Sequence, residues 1–243
     1  MTIFEYDAML FDLDGVLTST AALHEAAWKS MFDEFLRMRA EEEDEPFAAF
    51  ERDDYLRYVD GKPRLDGVES FLESRRIRLH WGKVDAEPSM ESIAGLGNRK
   101  NEMFNDLLES RGADPLPGAI EVVDAAQEHG MQTAVVSSSA NAERVITAAG
   151  LTDRFDAVVD GLVARRLGLA GKPAPDTFLE AARQLVVAPG RAIVLEDALA
   201  GVAAGRAGRF GLVIGIGPPA SEPSLLSHGA DRVIATLGEL LSD

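Results

Sequence analysis

Apolar residues recur along this chain with two different periods, and the change of period divides it into parts. Residues 8–13 are a nearly continuous apolar run that predicts a short buried strand, and Gly15 lets the chain turn off its end. From residue 20 to 39, Leu23, Ala27, Met31, Phe35 and Met38 return every three or four positions, which predicts an amphipathic helix. Thr20, His24 and Trp28 lie four apart on another face of that helix. The acidic run 41–45, closed by Pro46, reads as a solvated loop or a frayed helix end. Short helices are predicted over 55–59, 65–74 and 87–96. A longer one follows over 98–111, with Asn98 as its N-cap. No strand is predicted between residues 20 and 111.

Beyond residue 111 the pattern alternates. Helices are predicted at 118–130, 141–150, 175–186, 199–207 and 237–241, and strands at 131–137, 157–159, 192–195, 211–216 and 232–234. Such alternation predicts an α/β fold with a mostly parallel sheet covered on both faces. The first strand belongs with this sheet. Residues 1–19 and 112–243 are therefore expected to form one core, and residues 20–111 a helical unit inserted into it.

Four polar clusters fall where predicted strands end or helices begin. Asp12 and Asp14 follow the first strand, where open α/β sheets bind ligands. Carboxylates this close repel unless a proton or a hard divalent cation intervenes, although aspartates at such a turn also serve as caps. Ser137, Ser138 and Ser139 end the strand at 131–137, and the next helix opens at Asn141. Hydroxyls and free N–H groups there suit an anion, and serve equally as caps. Lys172 precedes Pro173 and Pro175, whose rings restrict the backbone that carries it. Glu196 and Asp197 close the strand at 192–195 and again crowd two acids together.

Composition narrows the chemistry. The formal charge of −17 over 243 residues argues against nucleic acid and anionic membranes as general partners. Any phosphate-binding site must therefore be made locally, from lysine, arginine, a metal ion and backbone N–H groups. The absence of cysteine excludes a thiolate nucleophile, a disulfide framework and thiolate-bound zinc. The first residues, MTIFEYDAML, lack a cationic segment followed by a long apolar one, so a cytoplasmic location is expected.

The string FDLDGVLT, residues 11–18, resembles motif I of the haloacid dehalogenase superfamily, and the three later clusters resemble its motifs II, III and IV in order. The resemblance implies a Rossmann-like core with an inserted α-helical cap. It implies Asp12 as the nucleophile that becomes an aspartyl phosphate, Asp14 as the general acid/base, and Ser137 as the holder of the phosphoryl group. It further implies Lys172 as the cation steadying the charge, and Mg²⁺ held by Asp12, the Asp14 carbonyl and Asp197 with Glu196 assisting.

Over nearly its whole length the chain is similar to the β-phosphoglucomutase family within that superfamily. Thr18 to Trp28 match its helix after motif I, which implies that Thr20 and His24 position Asp14, with Trp28 beside the substrate. DGKPRLDGV brings Arg64 to the arginine that grips a second phosphate, and GLGNRKN brings Lys100 to the lysine near the sugar. Ser139 and Asn141 match groups facing that distal phosphate. Sugar phosphates and bisphosphates are thus the implied ligands. Ser138, Ala140 and Ala198 depart from the family pattern, as do the acidic run 41–45 and the segment 77–85. A sugar-phosphate phosphatase using the same aspartates, and a non-catalytic binding or regulatory protein of the same fold, remain alternatives. The oligomeric state is not determined by these patterns, with a monomer the default.

Overall fold

The computed structural model describes residues 3–242. The described chain separates into two compact units. One comprises residues 3–19, Gly61–Pro63 and 113–242; the other comprises Thr20–Asp60 and Arg64–Gly112.

The first unit is built on a six-stranded sheet in the order β3-β2-β1-β4-β5-β6, with every neighbouring pair parallel. The strands are β1 Ala8–Phe11, β2 Gln132–Val136, β3 Ala157–Val159, β4 Ala192–Glu196, β5 Leu212–Ile216 and β6 Arg232–Ile234. Parallel strands with both faces covered carry apolar residues on both sides of the pleat, and all four residues of β1 are buried. Phe11 pairs in register with Val135 of β2 and with Leu195 of β4, so these three strands end side by side. The strand order reverses there, with β2 on one side of β1 and β4 on the other, and such a reversal opens a crevice at the strands' carboxyl ends.

Helices α5 Ala119–Glu128, α6 Ala142–Ala148, α7 Gly161–Leu167, α8 Asp176–Gln184, α9 Leu199–Ala207 and α10 Glu222–His228 connect the strands of this unit. Leu10, Val136, Phe178, Val194, Val202 and Val213 are among the residues of its buried core. The sequence pattern missed α7 and α10. No residue of α7 is buried and only Leu225 of α10 is, so neither helix shows an apolar stripe. The closing helix at 237–241 is a 3₁₀ turn, Leu237–Ser242.

The second unit is helical: α1 Ala21–Glu43, α2 Arg52–Asp54 continuing into a π-helical turn Tyr55–Val59, α3 Arg64–Ser74 and α4 Ile93–Arg111. Its core centres on aromatic rings. Phe32 and Phe71 stand 4.2 Å apart between centroids, and Phe50 meets Phe71 edge-on at 4.9 Å. Such pairs are worth roughly 0.5–1.5 kcal/mol beyond the area they bury. The first part of the acidic run is helical rather than loop, because α1 runs through Glu43 and Arg39 pairs with Glu43 one turn away. The predicted helix over 87–96 and the Asn98 cap are both corrected. Helix α4 starts at Ile93, capped by Ser92, whose Oγ accepts from the Gly95 N–H at 3.0 Å. Gly95 and Gly97 looked like a helix break, yet they serve close packing. A Cβ at Gly95 would fall 2.3 Å from Ser89 Oγ, and one at Gly97 would fall 2.6 Å from Leu65 Cδ2. Asn98 lies inside the helix and donates to the carbonyls of Val84 and Ala86 at 3.0 and 2.7 Å. Among the described residues no helix is long and apolar enough to cross a membrane.

Helix α8 ends two residues before its expected limit, in a cap that uses an unsuited residue. The Val187 N–H reaches Ala182 O at 2.9 Å and the Val186 N–H reaches Arg183 O at 3.1 Å, a pattern that requires a left-handed residue at 186. Val186 takes φ 58° there, and it is 91% exposed, so its side chain packs against little. A β-branched residue in that conformation costs about 1–2 kcal/mol, which glycine would recover in large part. Val186→Gly is expected to stabilise the protein by about 1 kcal/mol and raise Tm by about 2–4 °C in scanning calorimetry. An unchanged or lower Tm would show that the strain is absent.

Candidate active site

At the strand ends of the sheet unit stand Asp12, Asp14, Ser137, Glu196 and Asp197, with Lys172 on the loop before α8. Asp12 follows β1 directly, and its N–H donates to Leu195 O of β4 at 2.9 Å, which ties its backbone to the adjacent strand. Gly15, at φ 96°, makes the turn that carries Asp14 away from the strand axis, and its N–H closes the turn on Thr18 O at 2.9 Å. On the other side of β1, Ser137 follows β2, and its N–H donates to Val159 O of β3 at 3.0 Å.

Lys172 organises the centre. It reaches in from the loop before α8, through a cis peptide bond to Pro173, and is 2% exposed. Its ammonium donates to Asp12 Oδ1, to Glu196 Oε1 at 2.6 Å and to the carbonyl of Val136 at 3.0 Å. The ring of Phe178, on α8, lies under it with its centroid 4.9 Å from Nζ. A buried ammonium is tolerated only where its donors are matched, and here two carboxylates, a carbonyl and an aromatic face meet it. Burial alone would strip its proton, but Asp12 and Glu196 outweigh burial and hold its pKa above that of a free lysine.

Asp12 feels the opposite balance. Burial pushes its carboxyl up to about 8, against the pull of Lys172 and with repulsion from Glu196 and Asp14 added. Two carboxylates, Asp12 and Glu196, share the one ammonium.

Glu196 is fully buried, and both its oxygens are engaged, Oε1 by Lys172 and Oε2 by the Ala198 N–H at 2.8 Å. In this arrangement it anchors the lysine and shapes the turn that presents Asp197. Gly201, one turn into α9, makes room for it. A Cβ on Gly201 would fall 1.7 Å from Glu196 Oε1. Neither Gly201 nor Phe178 was singled out in the sequence, although a glycine inside a helix just after an acid-ended strand is a readable signal for the first. Among the described residues, no three acidic or histidine side chains are grouped as ligands for a metal ion.

The serine loop is ordered by its own hydroxyls. Ser137 Oγ accepts from the Ser139 N–H at 3.1 Å, and Ser139 Oγ accepts from the Asn141 N–H at 3.1 Å. Ser137 Oγ also lies 3.5 Å from Asp14 Oδ2, which brings the second aspartate toward the end of β2. Ser138 differs: its hydroxyl donates to the carbonyl of Gly61 at 2.7 Å. Behind the loop, Gly161 donates its N–H to Ser139 O at 2.9 Å, and a Cβ on it would press on Ser138 O at 2.9 Å. Asp160, beside it, caps α7 by accepting from the N–H groups of Leu162 and Val163.

The candidate residues of the helical unit form two groups. His24, Trp28 and Lys100 come together with Phe104. Lys100 is 4% exposed and lies over the rings of Trp28 and Phe104 at 4.9 and 5.1 Å. Its Nζ is 2.6 Å from His24 Nδ1, and His24 stacks on Phe104 at 3.9 Å. An ammonium only donates, so His24 Nδ1 is the acceptor and the ring proton sits on Nε2. Thr20, just ahead of α1, is fully buried, and its carbonyl accepts from the His24 N–H at 3.0 Å. Arg64 opens α3 and donates to Asn98 Oδ1 of α4 at 2.8 Å.

The family model for haloacid dehalogenase-like hydrolases matches residues 6–209. A β-phosphoglucomutase of Mycobacterium bovis is 52% identical over 239 residues, covering 96% of this chain and 91% of that protein. A crystal structure of a β-phosphoglucomutase from Clostridium difficile superposes with a TM-score of 0.76 at 23% identity, over 97% of this chain and 93% of the other. CbbY from Rhodobacter sphaeroides, crystallised with xylulose-(1,5)bisphosphate, matches at a TM-score of 0.72 and 25% identity over 96% of each chain. The strand order, the clustered acids and lysine, and these similarities agree: the chain belongs to the haloacid dehalogenase-like hydrolase family, in its β-phosphoglucomutase-like branch.

Proposed function

We propose that this protein is a Mg²⁺-dependent β-phosphoglucomutase that interconverts β-glucose 1-phosphate and glucose 6-phosphate through a phosphorylated Asp12 and a glucose 1,6-bisphosphate. The observation that carries the reading is the Lys172 ammonium joining Asp12 to Glu196 at the switch point of the sheet, in a chain 52% identical to a mycobacterial β-phosphoglucomutase. The structures of relatives described with bound phosphate or bisphosphate support a small phosphorylated ligand.

In the proposed cycle an oxygen of Asp12 attacks a phosphorus of the bisphosphate in line with the sugar oxygen. The bond to Asp12 forms as the bond to the sugar breaks, and Asp14 gives its proton to the departing oxygen. On return, Asp14 takes the proton of the 6-hydroxyl of an incoming β-glucose 1-phosphate as the phosphoryl group leaves Asp12 for that oxygen, which regenerates the bisphosphate. Lys172 holds Asp12 in one orientation and opposes the charge that builds on the phosphoryl oxygens. The Ser137 hydroxyl, with those N–H groups of the serine loop not already bonded to its hydroxyls or to β3, receives those oxygens. In the helical unit Thr20 and His24 position Asp14, Lys100 and Trp28 recognise the sugar, and Arg64 grips the second phosphate with its planar fork, assisted by Ser139 and Asn141.

The donor chemistry fits a hard cation. Burial, with repulsion from Glu196 and Asp14 added, raises Asp12 to about 8 even with Lys172 bonded to it, a condition that a divalent ion relieves. Asp12, Asp197 and the carbonyl of Asp14 would hold Mg²⁺, with Glu196 in support through Lys172 and the turn at Ala198. When bound, the ion offsets charge on the phosphoryl oxygens.

Four results are expected. Phosphorus NMR of the enzyme with β-glucose 1-phosphate, Mg²⁺ and a trace of bisphosphate should show glucose 6-phosphate growing in. Free phosphate growing in its place would identify a phosphatase. Asp12→Asn should bring this turnover below detection. In the wild type, metal removal by chelator should abolish turnover, and adding Mg²⁺ should raise the Tm of the wild type but not that of Asp12→Asn. Equal shifts in both would exclude Asp12 from the ion's ligands. Arg64→Ala should lower mutase turnover by roughly 10- to 100-fold, the scale of losing charge-assisted hydrogen bonds, while hydrolysis of p-nitrophenyl phosphate falls far less. Equal losses in the two assays would contradict a second phosphate site.

A further inference from the structure

Gly61–Pro63 interrupts the helical unit in sequence but belongs to the sheet unit in space. It lies just beyond the π-helical turn Tyr55–Val59 and just before Arg64, the first residue of α3. Three contacts hold it, each on a different loop of the crevice. Ser138 Oγ donates to the Gly61 carbonyl at 2.7 Å. Pro63 sits so tightly on Gly171 that a Cβ there would fall 2.0 Å from Pro63 Cγ. Gly61, at φ 71°, faces Ala198, and a Cβ on Gly61 would fall 2.8 Å from the Ala198 Cβ. These residues stand beside Ser137, Lys172 and Asp197 in sequence, so the strap rests on the immediate neighbour of a functional group in all three loops.

Two of the three contacts fall on Gly61 and are complementary. A hydroxyl tethers one end of the strap, and a small side chain leaves room for Gly61 to approach.

We propose that Ser138 is a positioning residue. It clasps the Gly61–Pro63 strap and so fixes the point from which α3, and Arg64 as its first residue, departs. The part of this that concerns substrate selection rests on the reading of Arg64 as a phosphate-binding group. The clasp itself does not. Its hydroxyl is committed to the strap, so Ser138 acts on substrate choice through Arg64 and not by contact with a phosphoryl oxygen.

Hydrogen–deuterium exchange of the full-length protein tests the clasp without any turnover. In Ser138→Ala the amides within residues 60–64 should exchange about fivefold faster, the scale set by one lost hydrogen bond, and Ser138→Thr should restore the wild-type rate. Wild-type exchange in Ser138→Ala would overturn the proposal. The same variant should raise KM for β-glucose 1-phosphate about fivefold with a smaller change in kcat, and Ser138→Thr should reverse this. Faster exchange with KM unmoved would overturn the selective role. If the wild type released free phosphate and formed no glucose 6-phosphate, the reading of function would fail, and the exchange rates would still decide for or against the clasp.

Discussion

A lysine ammonium buried under the edge of a sheet is the constraint on which the rest of this crevice depends. Removing such a charge from water costs several kcal/mol, and the cost is met only if its donors find fixed partners of the right charge. Lys172 finds Asp12 on one side and Glu196 on the other, at the tips of two strands that the sheet already holds in register. The backbone geometry therefore comes first and the ion pairs follow from it. Glu196 has no room to move, with the lysine on one oxygen, the Ala198 N–H on the other and Gly201 packed against it. A methyl group at Gly201 would displace the acid and leave the lysine with a weakened anchor. The arrangement thus reaches from the first strand to the ninth helix through three side chains and one missing side chain.

The parts legible in the sequence were those whose signal is local. A buried parallel strand reads as a continuous apolar run, and polar residues at its end mark where the run meets solvent, so Asp12, Asp14, the serines, Glu196 and Asp197 could be placed at strand ends without coordinates. The parallel sheet followed from the alternation. Other features were illegible because their cause is remote in sequence. Gly95 and Gly97 were read as a break because glycine more often ends helices, whereas here Ser89 and Leu65 crowd the helix from outside. Phe178 under Lys172 looks like any core phenylalanine of α8 until the loop before it is folded back. The hydroxyl of Ser138 resembled its neighbours' in sequence, and only its Gly61 partner distinguishes it.

The serine loop illustrates why residue type alone underdetermines role. Three consecutive serines at a helix start suited an anion and served equally as caps. Ser137 and Ser139 use their oxygens to accept backbone N–H groups two residues ahead, which fixes the loop in one conformation. In its proposed role this rigid loop would offer an incoming phosphoryl group the Ser137 hydroxyl, which lies 3.5 Å from Asp14 Oδ2. Gly161 reinforces it from behind, because any side chain there would push on Ser138 O. Rigidity of this kind lowers the reorganisation needed when charge develops, which is the larger part of what a polar site contributes to phosphoryl transfer.

Electrostatics separates holding the nucleophile from recruiting the substrate. The chain carries a formal charge of −17, so its overall field opposes a phosphate. Attraction must come from cations that are already in place, because each flexible side chain ordered on binding subtracts from affinity. In its proposed sugar-binding role, Lys100 would meet that requirement. It is buried, flanked by Trp28 and Phe104 and joined to His24, so little of its rotamer freedom remains to be lost. Arg64 is held in a different way, by Asn98 at its guanidinium and by its place immediately after the strap at its backbone. A change in how the strap is held would leave the Asn98 bond as the main restraint on that arginine. The selectivity of the proposed second phosphate site would then depend on a backbone position set by residues that never touch the phosphate.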